Sequence, residues 1–339
     1  MLIGANVLVF AAMLLGGAGL WHSPNGIQLA WGANFAPATQ DGEWWRLGSA
    51  MFLHFGLLHL AFNMWALWDG GQWVERMYGR YYFLLIYFLS GLLGNLLSLV
   101  VHTEAAVSGG ASGAIFGIYG ALLSYLWLMR RNILPGEFRW LFWGAIGFSG
   151  ITIVFGFLVQ GIDNAAHIGG LLTGMLAGVL LVREQVPEMP AINRYKIVAG
   201  LFLVLSVGIM INRIPPQKYS WNEEKRARQE IGDFLREDAA ISLAWDRILN
   251  QSRGGRVSFD ELAEQIDTVV TQSYGRSFEE LSSLPSDAEM PSTPTIEKLR
   301  RYAERRRDAS HALAEGLRTR DRARIKGALE QARKSTEGE

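Results

Sequence analysis

Seven apolar stretches dictate what this chain can fold into: residues 2–20, 54–73, 81–101, 112–129, 139–158, 165–182 and 196–212. A helix needs about 20 apolar residues, at about 1.5 Å of rise each, to cross a bilayer. The expected class is therefore all-α, a polytopic membrane helix bundle with seven spans. The first stretch lacks a basic leader and no convincing cleavage site follows Leu20, so it reads as a retained helix rather than a secretory signal.

The charges are gathered at the other end. Residues 1–215 hold 10 Lys and Arg and 9 Asp and Glu, whereas the last 124 residues hold 22 and 23. The two parts are built for different solvents. The formal net charge is zero, with neither part strongly biased, so nothing points to a nucleic-acid partner. The absence of cysteine excludes disulfides and thiol catalysis. Three domains follow: a six-helix membrane core over 1–185, a cytoplasmic loop and seventh membrane helix over 186–215, and a charged soluble helical tail over 216–339. In the tail, helices are expected at 221–251, 258–272 and 295–335, with Ser258 as an N-cap ahead of Asp260 and Glu261. Residues 284–294, with Pro285, Pro291 and Pro294, read as a linker. Arg305 to Arg307 read as a solvated helix face. The tail carries no catalytic motif, and its expected role is to recruit substrate or a protein partner, or to regulate access.

Basic residues in short loops favour the cytoplasm. Arg76, Arg80, Arg130, Arg131, Arg139, Arg183, Arg194 and Lys196 follow the second, fourth and sixth stretches, whereas the loops after the first, third and fifth hold only Arg46. The N-terminus is expected inside and the tail outside a cell membrane, most simply the bacterial plasma membrane. The loop from Trp21 to Ser49 carries Trp21, Trp31, Phe35, Trp44 and Trp45 and reads as an interfacial anchor.

Polar groups inside a bilayer are costly and require a reason. His59, Asn63, Ser112 and His167 are four such groups. Ser112 lies 18 residues from Arg130, His167 16 from Arg183 and His59 17 from Arg76, or about 27, 24 and 25 Å at helical rise. All three reach the outer part of the bilayer at one level, and Asn63 shares the face of His59 one turn deeper. Ser112 follows Gly109-Gly110-Ala111 at a helix start, where a serine is ordinarily a cap. The same helix start supplies N–H groups and a positive dipole end suited to an oxyanion. Gly170, Gly174 and Gly178, with Gly113, Gly117 and Gly120, let the fourth and sixth stretches approach closely, bringing His167 to Ser112 as base to nucleophile. The alternative is that these groups merely glue the bundle together.

Gly110-Ala111-Ser112-Gly113 and Asp163-Asn164-Ala165-Ala166-His167-Ile168-Gly169-Gly170 with Gly174, preceded by His54, His59 and Asn63, resemble the rhomboid family of intramembrane serine proteases. Trp45-Arg46 resembles a motif of that family's first external loop, and Glu75, Gly79 and Arg80 the turn after its second helix. The resemblance covers residues 1 to about 185, and the seventh stretch matches the six-plus-one form. It implies hydrolysis of peptide bonds in or near transmembrane segments of membrane-anchored substrates by a Ser112–His167 dyad. His59, Asn63 and the Ser112 N–H would hold the oxyanion, with Gly110, Gly113, Phe116, His54, Gly170 and Gly174 in support. Phe116 stands where the family often has Tyr, and its ring is expected to pack on His167. Asp163, four residues before His167, shares its face, but the dyad is complete without it. The implied enzyme needs no cofactor or metal.

Other readings are an inactive rhomboid-like protein that binds membrane clients, or a transporter using the same polar cluster. Both Ser112 and His167 are present, which disfavours the first. Asp69 is the one acid below Asn63 on the second stretch, too little for a polar path, and it is expected to bond a neighbouring helix. His22, His102 and His311 read as ordinary polar residues.

Overall fold

The computed structural model describes residues 1–102, 106–182, 192–253, 257–285 and 287–337. They form two compact units, Met1–Gln217 and Lys218–Glu339. Arg183 and positions 186–191 of the expected cytoplasmic loop lie outside the described residues, as does Ser286 of the expected linker.

The first unit runs α1 (Leu2–Leu15), α2 (Asn25–Trp31), β1 (Asn34–Phe35), α3 (Ala36–Gln40), α4 (Arg46–Ser49), α5 (Leu57–Tyr78), α6 (Arg80–Val101), β2 (Val107–Ser108), α7 (Ser112–Leu128), α8 (Pro135–Leu158), α9 (Asn164–Leu181) and α10 (Ile192–Asn212). Each expected membrane stretch is a helix, and the helices differ in length. Four described helices, α6, α8, α9 and α10, are long and apolar enough alone. A fifth arises if the short helical segment Arg46–Phe52 and α5, bent by 93° at residues 53–56, count as one span. At about 1.5 Å per residue, the 14 residues of α1 and the 17 of α7 reach only about 21 and 26 Å. For α1 the sequence does not show this, because apolar residues continue past the point where Gly16 and Gly17 end the helix, whereas α7 stops one residue short of the expected 129. Similarly, α5 starts later than residue 54 and runs on to Tyr78, since Glu75 and Arg76 are good helix formers and only Gly79, at φ +82, stops it.

Helix α7 is the centre, with α5, α6, α8 and α9 packed around it. In hydrocarbon there is little hydrophobic drive between helices, so close backbone packing must hold them. Gly170 of α9 provides it: a Cβ there would stand 1.9 Å from the Gly113 carbonyl oxygen of α7. By contrast α8 buries only Ala145 and Ser149, and its outer side exposes Ile151, Val154 and Phe157. Such apolar surface on α5, α8 and α10 belongs in lipid, and the chain is a multi-pass membrane protein.

The loop after α1 is more ordered than an interfacial anchor requires. Strand β1 pairs antiparallel with β2, Asn34 opposite Ser108 and Phe35 opposite Val107. Arg46 is buried, with its guanidinium on the Glu43 carboxylate and on the Leu29 and Ala33 carbonyls at 2.8 and 3.1 Å. Gln40 donates to the Pro215 carbonyl at 2.9 Å, so the end of α10 arrives on the face where α7 begins.

The second unit is helical: α11 (Trp221–Arg253), α12 (Phe259–Gln265), α13 (Gln272–Ser282), α14 (Thr293–Thr319) and α15 (Arg322–Glu337). Ser258 caps α12 as expected, accepting from the Glu261 N–H while the Glu261 carboxylate accepts from the Ser258 N–H. A π-helical turn over Ile266–Thr271 carries α12 into α13, so this helix ends ten residues beyond the expected 272. The expected 295–335 helix breaks at Arg320, a left-handed residue at φ 56. Arg306 corrects the solvated-face expectation: it is 8% exposed, its Nε donates to the Tyr274 hydroxyl at 3.3 Å, and it lies over the Tyr274 ring. The Asp238 carboxylate accepts from Tyr274 and Tyr302 at 2.7 and 3.1 Å. Burial pushes the Tyr274 phenol above its ordinary range, against the pull of Arg306.

Candidate active site

Ser112 opens α7, and His167 lies in the first turn of α9. The close seam of α7 and α9 brings them together: His167 Nε2 and Ser112 Oγ are 2.8 Å apart. Ser112 does not take the ordinary capping role of a serine at a helix start, since the N-cap is Ala111 and no side chain caps the helix. The serine oxygen is committed to histidine instead, and the first N–H groups of α7 have no intrahelical partner. His167 is 5% exposed, and its Nδ1 has no hydrogen-bond partner among the described residues. Its ring is held by packing, stacked on Phe116 at 4.4 Å between centroids and 13° between planes. The Phe at this position therefore makes the contact foreseen for it.

His59 reaches the same place from α5. Its imidazole Cε1 and Nε2 stand 2.9 and 3.0 Å from where a Cβ on Gly110 would lie, and Gly110 has φ +143. Both facts restrict this position to glycine. The Phe55 N–H donates to His59 Nδ1 at 3.4 Å, which leaves Nε2 as the protonated nitrogen. Asn63 donates one amide N–H to the His59 carbonyl at 2.8 Å, and the amide has a second. His54 lies in the bend before α5, wholly buried, its ring edge-on to His59 at 5.1 Å. Its ring contact among the described residues is to His59.

Asp163 does not reach His167. Its carboxylate caps α9 at the Ala166 N–H, 2.9 Å away, and accepts from the Ser98 and Ser108 hydroxyls at 2.5 and 2.6 Å. His102, read from sequence as an ordinary polar residue, joins this cluster, with Nδ1 3.8 Å from Asp163. Nothing in the sequence names Ser98 and Ser108 as partners of Asp163; the signal for its first bond would have been the preference of Asp for an N-cap position just ahead of a helix. Asp69 finds the neighbouring helix expected of it: Tyr119 of α7 donates to it at 3.0 Å.

A cavity of about 680 Å³ stands over the pair. Its walls are α5, through His59, Phe62 and Asn63, and α8, through Phe148, Ile151 and Phe155; residues 159–163 close its top. Phe62 and Ile151, which line it from α5 and α8, are both largely exposed. Its lining is mostly apolar, with Ser112, His59, Asn63 and His167 converging at one end.

The chain is similar to several known proteins. The family model for the rhomboid domain matches residues 41–184. Rhomboid protease GluP of Bacillus subtilis (strain 168) is 42% identical over 187 residues, 54% of this chain and 34% of that protein. RHOMBOID-like protein 6, mitochondrial, of Arabidopsis thaliana is 38% identical over 149 residues, covering 43% and 46%. The chain thus spans less than half the length of these two. Rhomboid protease AarA of Providencia stuartii is 30% identical over 223 residues, covering 60% of this chain and 78% of its own length. The matched segment holds Ser112, His167, His59 and Asn63, and the chain belongs to the rhomboid family.

Proposed function

We propose that this protein is an intramembrane serine endopeptidase that cuts membrane-anchored proteins in or near a transmembrane segment. The observation that carries the proposal is the 2.8 Å contact between Ser112 Oγ and His167 Nε2 at the polar end of a largely apolar cavity. In this reading the Ser112 oxygen attacks the scissile carbonyl carbon while its proton passes to His167 Nε2. The carbonyl oxygen takes the negative charge and is received by His59 Nε2–H, the second Asn63 N–H and the Ser112 N–H. Collapse breaks the C–N bond, and the imidazolium returns its proton to the leaving amine. Water, deprotonated by the same imidazole, then releases the acyl group from Ser112. The substrate enters between α5 and α8, a route supported by the exposed apolar residues Phe62 and Ile151 that line the cavity there.

The N-terminus is cytoplasmic and the second unit extracytoplasmic in this proposal. The loop charges support that orientation, and the Gln40–Pro215 bond supports an exit of the chain on the face from which α7 starts. The second unit then engages the outer part of a substrate or a partner protein. Protease protection in oriented vesicles tests this, and a tail shielded inside would reverse it.

The deciding experiment reconstitutes wild type, Ser112→Ala and His167→Ala with a panel of transmembrane substrates and a serine-directed phosphonate. Wild type is expected to cut and to be labelled at Ser112, and both variants to stay folded and lose both reactions. A folded wild type that binds clients but neither cuts nor labels would establish the inactive client-binding reading. Cleavage by Ser112→Ala at the wild-type rate would remove the proposed nucleophile.

A further inference from the structure

His167 has one hydrogen bond to hold its ring, and that bond is to the group it is proposed to deprotonate. With Nδ1 unpartnered among the described residues, the plane of the imidazole is set by the Phe116 ring stacked on it. Phe116 has no hydroxyl to fix it in turn. It is backed by Phe148 of α8, 6.0 Å away between centroids. Phe148 is itself stacked on Tyr119, at 4.2 Å and 20°. Tyr119 is 3% exposed, and its hydroxyl donates to Asp69 on α5 at 3.0 Å. An unbroken line of contacts runs from a half-buried carboxylate to the imidazole.

We propose that Asp69 and Tyr119 are positioning residues, which hold the His167 ring toward Ser112 through Phe148 and Phe116. This rests on the protease reading above. The physical argument concerns rotation. Two stacked rings resist tilting but slide easily, because dispersion contacts have little directional preference within the plane. A hydrogen bond at the far edge of Tyr119 removes that freedom, since its strength falls steeply with angle. The bond from Tyr119 gives the acid in the second half of α5 its partner. Trp65 and Trp73, one turn on either side of it, contact Phe148 and Trp140 of α8 at 6.4 and 6.2 Å, so Asp69 lies midway along the α5–α8 seam. Its bond to α7 keeps the α8 side of the site in register with the α7 side.

The test compares full-length wild type, Tyr119→Phe, Asp69→Leu, Asp69→Asn and the Tyr119→Phe/Asp69→Leu double variant in one bilayer. Turnover is expressed per active site titrated by the phosphonate, which removes any loss of folded protein. The second readout is the ring-nitrogen NMR signal of His167, one of six histidines, identified by its disappearance in His167→Ala. Loss of one hydrogen bond is expected to lower kcat about three- to tenfold in Tyr119→Phe and Asp69→Leu. KM stays unchanged and the His167 signal moves in both. The double variant is no slower than the worse single one. Asp69→Asn keeps wild-type turnover, because an amide oxygen still accepts from the phenol. Full turnover with an unmoved signal in Tyr119→Phe overturns the inference, as do additive losses or an Asp69→Asn as slow as Asp69→Leu. A wild type that cuts nothing refutes the protease reading instead, and the nitrogen signal still decides whether Asp69 and Tyr119 position the ring.

Discussion

Replacing Gly170 by alanine tests the seam that makes the site. The new Cβ would stand 1.9 Å from the Gly113 carbonyl oxygen and 2.7 Å from its carbon. Both sides of that contact are helix backbone, so no side chain can swing away. Restoring an ordinary contact of 3.4 Å from the present 1.9 Å requires α7 and α9 to part by about 1.5 Å. Gly113 follows Ser112 directly, and Gly170 is one turn beyond His167. The same displacement would stretch the present 2.8 Å between Ser112 Oγ and His167 Nε2 past 4 Å, beyond hydrogen bonding. Overpacking of this kind costs about 1–3 kcal/mol of stability. Misplacing a general base by about 1 Å costs on the order of 10²-fold in rate. The assay measures phosphonate labelling rate and thermal unfolding of Gly170→Ala beside Gly144→Ala, a lipid-side control on α8 with no atom within 4 Å of its new Cβ. The expected result is labelling at least 10²-fold slower in Gly170→Ala and unchanged behaviour in Gly144→Ala. Labelling of Gly170→Ala at the wild-type rate would refute the claim that backbone contact between α7 and α9 sets the dyad distance.

His59→Ala and Asn63→Ala should each slow acylation about 10²-fold or more, as loss of an oxyanion donor does, while the Ser112–His167 contact survives; single-turnover rates separate this from lost binding. In the second unit, Arg306→Leu removes the donor to Tyr274 and the guanidinium over its ring, and should destabilise that unit by about 1–3 kcal/mol, read as earlier protease cleavage after Lys218 with labelling of Ser112 unchanged. The Ser258 N–H holds the Glu261 carboxyl below its ordinary range. A carboxyl whose native pKa is depressed stabilises the fold above its unfolded pKa and loses that contribution as pH falls through the native value. The protection of the amides of residues 259–262, taken relative to their intrinsic exchange rates, should therefore fall on acidification below the ordinary Glu range, and Glu261→Gln should flatten that dependence.

Much of the site was legible because it is written in one-dimensional distances. Counting at helical rise from the arginines placed Ser112, His167 and His59 at one level, and the glycines named the faces that meet. The partners of Asp163 and Asp69 were not legible in that way. Ser98 lies 65 positions from Asp163 and Tyr119 lies 50 from Asp69, and nothing local links either pair. Arg306 was misread because a charged triplet looks solvated until the rings of α11 and α13 close over its middle member.

By itself the sequence determined the all-α class, the order of the membrane helices, the division between apolar and charged parts, and the cluster of Ser112, His59, Asn63 and His167. Apolar length, loop charge and residue spacing are properties of a chain, and they survive without coordinates. Only the tertiary structure decided where α1 ends, that Ser112 bonds His167 instead of capping α7, and that Asp163 is occupied elsewhere. These depend on angles and on close approach between segments far apart in the chain. A serine hydroxyl at a helix start has several partners open to it, and the packing of Gly170 on Gly113 selects one.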